Sequence, residues 1–237
     1  DGIETDVVEI NGASIPMAEE FFDFDASKVN LTVGDGRQFL NQTDRTYDAI
    51  LLDAFLGDSS PSHLMTHEAF VEMRAHLSDH GTLVINSFGE SNPERQFFSS
   101  SLDKTLRSVF GPERVIVHAS GYGNVFFVAT KAPQIKVHHS PEPDPDAGKR
   151  LREAKSERDA YAVWNEWYGA AKGEGPFFSE HRQVQMEMAL MWKGRREFDA
   201  AYGQLLLDDF NPVEFYDARN REENRRGLIH QINPGNG

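Results

Sequence analysis

Apolar residues along this chain fall into short runs that alternate with helix-like spacing. Strand-sized apolar runs occupy residues 5–10, 29–33, 47–52 and 82–86, while helical periodicity marks residues 13–22, 37–40, 64–77 and 94–110. Two more strands are predicted at residues 114–118 and 124–130, around a Gly-Tyr-Gly hairpin turn at 121–123. Helices that alternate with strands indicate an α/β domain with a parallel sheet and helices on both faces.

The pattern changes after Lys131. Residues 1–132 are predicted to form the α/β domain, and the proline-rich stretch 133–148 is predicted to be a linker. Residues 149–206 have helical patterning over 149–169 and 179–207, which predicts a helical insertion. Residues 207–237 are expected to return to the α/β domain.

Composition narrows the classes of partner. The net charge of -14 argues against nucleic acid and would favour a cationic ligand, although acidity more often serves solubility alone. The chain contains no cysteine, so disulfides and thiolate chemistry are excluded. No apolar run approaches the roughly 20 residues of a membrane-spanning helix.

Carboxylates follow three of the predicted strands directly, at Glu9, Asp35 and Asp53. Ligands of open parallel sheets bind beyond the carboxyl ends of the strands. A carboxylate in the position of Glu9 can accept hydrogen bonds from both ribose hydroxyls, and Asp35, flanked by Gly34 and Gly36, could accept from an adenine amino group. Helix capping is the simpler explanation for any one of them, but three in register predict a nucleoside site.

These residues belong to motifs that resemble the spermidine synthase (polyamine aminopropyltransferase) family, in particular its bacterial branch that is often joined to membrane segments. The motifs are Val8-Glu9-Ile10-Asn11, Gly34-Asp35-Gly36-Arg37-Gln38-Phe39-Leu40 and Tyr47-Asp48-Ala49-Ile50-Leu51-Leu52-Asp53-Ala54-Phe55. Further matches are Gly57-Asp58-Ser59-Ser60-Pro61, Gly121-Tyr122-Gly123-Asn124 and Asp208-Asp209-Phe210-Asn211-Pro212-Val213-Glu214. The resemblance covers residues 5–131 and resumes at 207–215, and residues 135–205 have no counterpart in it.

The resemblance implies a Rossmann-like fold of the class I methyltransferase type and a role for each matching residue. Glu9 would hold the ribose, Ile10 would lie against the adenine, and Asp35 would bind the adenine amino group. Asp53 would be the catalytic residue that faces the attacking amine. Asp58 falls in the loop that closes over the family's site, but its spacing from Asp53 differs from the usual one.

The implied reaction is aminopropyl transfer from decarboxylated S-adenosylmethionine to a polyamine or another small cationic amine. An aspartate is a weak base beside an alkylamine, so Asp53 is expected to orient the ammonium and stabilise the cationic transition state. The resemblance also implies a cytoplasmic location, with membrane association through an upstream segment or partner.

The family's first strand and its glycine-rich loop have no counterpart before Glu9. We therefore expect an incomplete sheet, with a gap between the strands at residues 5–10 and 47–52 and unpaired backbone groups on both sides. An N-terminal segment or a partner chain would complete the sheet. Alternatively, the chain is a degenerate, non-catalytic subunit of a homo-oligomer or larger complex, as Asn11 in place of the family's usual Asp suggests.

Two other functions stay open. A methyltransferase that uses S-adenosylmethionine would have the same fold, although Asp53-Ala54-Phe55 and the Asp208-Asp209 tail favour aminopropyl transfer. The histidine pairs His63/His67 and His76/His80 have the i,i+4 spacing of metal ligands, but neither pair has a third ligand or the Glu of a zinc-protease motif. We predict no metal and place these histidines on solvent-facing helix positions.

Overall fold

The fold is that of a computed structural model, which describes residues 2–55, 61–88, 96–119, 124–135, 195–212 and 215, with scattered residues between 149 and 166. The strands are β1 (Asp6–Glu9), β2 (Asn30–Val33), β3 (Tyr47–Leu52), β4 (Leu77–Phe88), β5 (Val115–Ala119), β6 (Asn124–Thr130) and β7 (Arg195–Arg196). The α-helices are α1 (Ser14–Phe21), α2 (Gly36–Gln42), α3 (His67–Ala75) and α4 (Phe97–Phe110). Short 3-10 turns cover Ala26–Lys28, Ser62–Leu64, Pro112–Arg114 and Ala200–Tyr202.

The described strands form two sheets. One contains β1 and β2, which are parallel, with Glu9 opposite Val33. The other has the order β3-β4-β6-β5-β7. Within it β3 and β4 are parallel, and the remaining neighbours are antiparallel. The predicted α/β fold is confirmed, and the strands predicted to be parallel pair in parallel wherever they are neighbours.

Side-chain contacts, rather than a β-ladder, join the two sheets in the part of the chain that the structure describes. At the start of β1 and β3, Asp6 accepts hydrogen bonds from the Tyr47 hydroxyl at 2.7 Å and from Arg45 at 2.7 Å. Beyond the ends of β2 and β3, His63 Nε2 lies 2.7 Å from Asp35 Oδ2. The first residues of β1 and β3 are thus in contact at one end, and segments that follow β2 and β3 are in contact at the other end. β1, β2 and β3 therefore run in the same direction.

The hydrophobic core lies in the half of the molecule that contains the larger sheet. Its fully buried side chains come from α3, α4 and the strands beside them, and include Phe70, Leu83, Leu102, Leu106 and Phe127. In contrast, β1, β2 and α1 contain no fully buried residue. The small sheet therefore has little apolar packing of its own within the described residues.

The helix predicted over residues 64–77 is shorter than its apolar spacing suggests. It begins at His67 because the Thr66 hydroxyl caps it by accepting a hydrogen bond from the Ala69 N–H at 3.1 Å. It ends at Ala75 because Leu77 pairs with Tyr47, so β4 starts five residues before the predicted strand at Thr82.

The prediction of a helix that continues to Leu207 is wrong for residues 195–207. This segment contains the short strand β7 and a 3-10 turn, and then runs extended along α4. The hydroxyls of Ser101 and Thr105 accept hydrogen bonds from the backbone N–H groups of Gln204 and Leu206, both at 3.1 Å. Side chains of α4 thus satisfy backbone donors that a helix would have satisfied internally.

Other predicted features lie outside the described residues, namely the turn at 121–123, most of the linker at 133–148 and the helical pattern over 179–194. The residues described between 149 and 166 are mostly helical. None of the helices in the described part of the chain is both long enough and apolar enough to cross a membrane.

Candidate functional site

Glu9 and Ile10 lie at the carboxyl end of β1, where the sequence places them. Glu9 is partly buried, and its Oε1 accepts a hydrogen bond from the Asn11 N–H at 2.7 Å. The backbone of Glu9 also holds the end of β2, because Gly34 N–H donates to its carbonyl oxygen at 3.0 Å. The side chain of Ile10 is 61% exposed, which leaves an apolar surface open beside the carboxylate.

Asp35 follows β2 and is the N-cap of α2. Its Oδ1 accepts a hydrogen bond from the Gln38 N–H at 2.9 Å, and its Oδ2 lies against His63. Burial acts to raise the pKa of Asp35, but the hydrogen bonds from Gln38 and His63 outweigh it, and the pKa lies below its ordinary value. A Cβ at Gly34 or Gly36 would meet no heavy atom within 4 Å, so there is open space on either side of this carboxylate.

Asp53 follows β3 directly and is exposed. Its Oδ1 accepts a hydrogen bond from Asn86 Nδ2 at 2.9 Å, so β4 supports the carboxylate from the neighbouring strand. The Oδ1 atom of Asn86 is buried and has no hydrogen-bond partner among the described residues. A buried acceptor of this kind is costly unless a ligand donor reaches it. The pair therefore combines a held carboxylate with an unused acceptor.

Each of the three carboxylates stands at the carboxyl end of a parallel strand. The strands that precede them run in the same direction, and the His63–Asp35 contact joins the edge of the small sheet to the segment after β3. This is the edge at which open parallel sheets bind ligands. Asp58, whose role the sequence left in doubt, lies outside the described residues.

Sequence reasoning missed a second group of polar residues beside Asp35. Arg37, in the first turn of α2, makes a two-pronged contact with Asp208, at 2.8 and 2.6 Å. Thr66 also donates to Asp208, at 2.7 Å. The hydrogen bond from Arg37 is the main reason that the pKa of Asp208 is lowered. Both residues stand in quoted motifs, but nothing local in the sequence predicts that positions so far apart pair.

The histidine interpretation needs correction. His63 is exposed as predicted, but it lies in the 3-10 turn before α3 and its ring contacts Asp35. His76 follows α3 and has a side chain only 15% exposed, with Nδ1 2.9 Å from the carbonyl oxygen of Arg45. His80 is exposed, but on strand β4. Within the described ranges, no three acidic or histidine side chains gather as they would around a metal ion.

This architecture defines an α/β domain of the nucleotide-binding kind, with acidic side chains at the carboxyl ends of parallel strands. A family model described as "Spermine/spermidine synthase domain" matches residues 2–138. The chain belongs to the spermine/spermidine synthase family.

Curated relatives include both aminopropyltransferases and a methyltransferase. A polyamine aminopropyltransferase of Vibrio vulnificus is 38% identical over 110 residues, which cover 45% of this chain and 35% of that protein. A probable polyamine aminopropyl transferase of Bifidobacterium longum is 32% identical, covering 44% of this chain and 23% of the relative. An N-terminal histidine N-methyltransferase of Emericella nidulans is 27% identical, covering 64% and 28%. The matched region thus spans about a third or less of each relative.

Solved structures that are similar to this chain include one named as a probable spermidine synthase and one named as a methyltransferase-like protein. A probable spermidine synthase from Corynebacterium glutamicum has 22% identity and a TM-score of 0.47, with coverage of 75% of this chain and 65% of that one. Human methyltransferase-like protein 13, in complex with SAH, has 14% identity and a TM-score of 0.47, with coverage of 76% and 77%.

Proposed function

We propose that this chain is the nucleoside-binding part of an aminopropyltransferase that transfers the aminopropyl group of decarboxylated S-adenosylmethionine to a polyamine. The observation that carries the proposal is that Glu9, Asp35 and Asp53 each stand at the carboxyl end of a parallel strand, in a chain of the spermine/spermidine synthase family. The relatives named as polyamine aminopropyltransferases support the same reaction.

Three residues at the carboxyl ends of β1 and β2 hold the nucleoside. Glu9 accepts hydrogen bonds from the ribose hydroxyls, since carboxylates at this position of nucleotide-binding folds do so. Ile10, with 61% of its side chain exposed, packs against a face of the adenine. Asp35 accepts from the adenine amino group, and the open space at Gly34 and Gly36 admits the flat ring.

Asp53 acts on the amine. The amine nitrogen attacks the methylene carbon next to the sulfonium, and a C–N bond forms as the C–S bond breaks. The electron pair of the broken bond goes to sulfur, which leaves as the neutral thioether of methylthioadenosine, and the new ammonium loses a proton to water or to a neighbouring group. Asp53 orients the amine and stabilises the positive charge, and Asn86 holds the Asp53 carboxylate in place.

Charge complementarity supports a polyamine as acceptor. A net charge of -14 raises the local concentration of cations near the protein, and the exposed carboxylate of Asp53 offers its oxygens to an ammonium group. No metal enters this mechanism. The donor is a co-substrate whose positively charged sulfur supplies the driving force.

The proposal includes an additional strand between β1 and β3, from an N-terminal segment or a partner chain. Each of these strands has a β-partner on one edge only among the described residues. Leu51, on β3 beside this gap, is 74% exposed. An apolar strand at this place would join the two sheets into one. Membrane association through an upstream segment, and a homo-oligomer, stay predictions.

A two-donor assay tests the reaction. The intact protein is incubated with decarboxylated S-adenosylmethionine or with S-adenosylmethionine and a panel of diamines and polyamines, and products are identified by mass spectrometry. We expect a mass increase of one aminopropyl group and release of methylthioadenosine with the decarboxylated donor. If only the ordinary donor reacts and the product carries a methyl group, the proposal is wrong and the methyltransferase alternative is correct.

The methyltransferase alternative is supported by the relative from Emericella nidulans, whose match covers more of this chain than the aminopropyltransferase matches do. A third candidate is a non-catalytic subunit. Calorimetric titration with methylthioadenosine separates it from both enzymes, because a subunit without a nucleoside site gives no binding heat.

A further inference from the structure

The turn that carries His63 is held by contacts from two other parts of the chain. Arg37 donates to the carbonyl oxygen of His63 at 3.2 Å, and Arg37 stands on α2, the helix that Asp35 caps. Asn211 donates to the carbonyl oxygen of Ser62 at 2.6 Å, so the C-terminal tail holds the same turn from another side. The imidazole is thereby fixed relative to the Asp35 carboxylate and does not simply project from the surface.

The contact determines the hydrogen-bonding character of the ring. The carboxylate of Asp35, whose pKa is lowered, can only accept, so His63 Nε2 must carry the proton of the 2.7 Å bond. In the neutral imidazole the other nitrogen, Nδ1, is then an acceptor. His63 remains 42% exposed and Asp35 29% exposed, so a ligand can reach both. Together the two side chains offer a ligand acceptors and no donor.

We propose that His63 is a specificity-determining residue of the nucleoside site, which holds the Asp35 carboxylate as an acceptor-only edge that selects a 6-amino purine over a 6-oxo purine. The exocyclic amine of adenine donates a hydrogen bond to such an edge. A 6-oxo oxygen is itself an acceptor, so it is repelled by the carboxylate oxygens and forms no hydrogen bond with them. The inference rests on the proposed nucleoside site but is independent of which group, aminopropyl or methyl, the enzyme transfers.

Calorimetry with two nucleosides tests this proposal. The intact protein is titrated with methylthioadenosine and with its 6-oxo analogue, methylthioinosine, near pH 8. The variants are His63→Ala, His63→Gln and, as a matched control, His80→Ala, which removes an exposed histidine from strand β4. The glutamine amide can still donate to Asp35, so it serves as the conservative variant.

We expect the wild-type protein and His80→Ala to prefer methylthioadenosine. His63→Ala should bind it at least about fivefold more weakly and lose most of the preference, because the Asp35 acceptor loses its fixed position. His63→Gln should retain the larger part of both.

Other outcomes have distinct meanings. If His63→Ala weakens both nucleosides equally, or weakens neither, or if His63→Gln is as impaired as His63→Ala, the proposed role of His63 is wrong. If the wild-type protein binds neither nucleoside, the nucleoside site itself is wrong, and the proposed function fails with it.

Discussion

Asp53 and Asp35 are both aspartates at strand ends, yet their surroundings suit them to different tasks. Asp35 uses both oxygens within the protein, as the cap of α2 and as the partner of His63. Asp53 is exposed, and one hydrogen bond from Asn86 fixes it while most of its acceptor capacity remains available. A group that must receive a moving substrate amine needs this free capacity, whereas a group that recognises a base edge benefits from being rigid.

The first prediction concerns Asp53. Asp53→Asn should lower kcat at least about 100-fold, because the charge that stabilises the ammonium is lost. Binding of methylthioadenosine should change less than about twofold, since the Asn oxygen can still accept from Asn86. Asp48→Asn is the control. Asp48 is on β3, and its side chain accepts a hydrogen bond from the Ser78 hydroxyl at 2.8 Å. Steady-state kinetics and calorimetry check both effects, and full activity in Asp53→Asn would exclude the assigned role.

Site residues that directly follow a predicted strand were easier to identify than residues that tertiary packing brings to the site. Glu9, Asp35 and Asp53 each follow an apolar run, so alternation alone predicts their common edge. His63 and Asp208 carry no such local signal, because their positions depend on how the tail and the turn before α3 pack. Asp35 and Asp208 are 173 residues apart in the chain, and no periodicity extends across that separation.

At the scale of elements, α4 and residues 200–206 act as one unit. The hydroxyls of Ser101 and Thr105 each accept a hydrogen bond from a backbone N–H of this segment. Lys104 donates to the carbonyl oxygens of Ala200 and Gly203. The helix is therefore buried on a face that contains hydroxyls as well as apolar side chains. This explains why the apolar spacing predicted α4 correctly but wrongly predicted a helix for the extended residues 203–207.

Gly203 makes this packing possible. A Cβ at this position would lie 2.5 Å from the backbone carbonyl atoms of Ser100 and 2.7 Å from the nitrogen of Ser101. Gly203→Ala should lower the free energy of unfolding by at least about 2 kcal/mol, since backbone atoms of a helix cannot move aside. Urea denaturation measures the effect. Gly36→Ala, where a Cβ meets nothing within 4 Å, is the stability control, and equal stability of the two variants would contradict the packing argument.

A second prediction at this scale concerns the contact between the starts of β1 and β3. Asp6 has a side chain only 9% exposed, and hydrogen bonds from Tyr47, from Asn30 and then from Arg45 lower its pKa below 3.8. A lowered folded-state pKa stabilises the fold above the unfolded value and loses this contribution as pH falls through the folded value. Asp6→Asn should therefore cost about 2 kcal/mol at pH 7 and progressively less below about pH 4.

Urea denaturation of both proteins between pH 7 and pH 3 measures this difference. Asp44→Asn, an exposed residue of the loop before β3, is the matched control and should show no such dependence. A stability difference for Asp6→Asn that stays constant over this range would show that Asp6 acts through its shape and not through its charge.

For the molecule as a whole, the order of strands and helices up to residue 110 could be predicted because each apolar run is short and bounded by turn residues. The division into two sheets follows from the same reasoning, since the strands at residues 5–10 and 47–52 were expected to face a gap. The path of residues 195–212 could not be predicted, because several of its backbone N–H groups donate to side chains of α4 and α3, which only the folded structure brings close to it.

The gap between the sheets leads to the last prediction. Leu51, on β3, is 74% exposed in this chain. The strands of parallel sheets are ordinarily covered on both faces, so a leucine on such a strand is ordinarily buried. If a strand fills the gap in the protein produced from its native gene, Leu51→Asp should destabilise that protein by more than about 3 kcal/mol, because it buries an unpaired charge. In the 237-residue chain alone the same change should alter stability by less than about 0.5 kcal/mol. Val71→Asp, at a residue 47% exposed on α3, should have a small effect in both proteins. Equal effects of Leu51→Asp in the two proteins, measured by urea denaturation, would mean that no strand covers this edge.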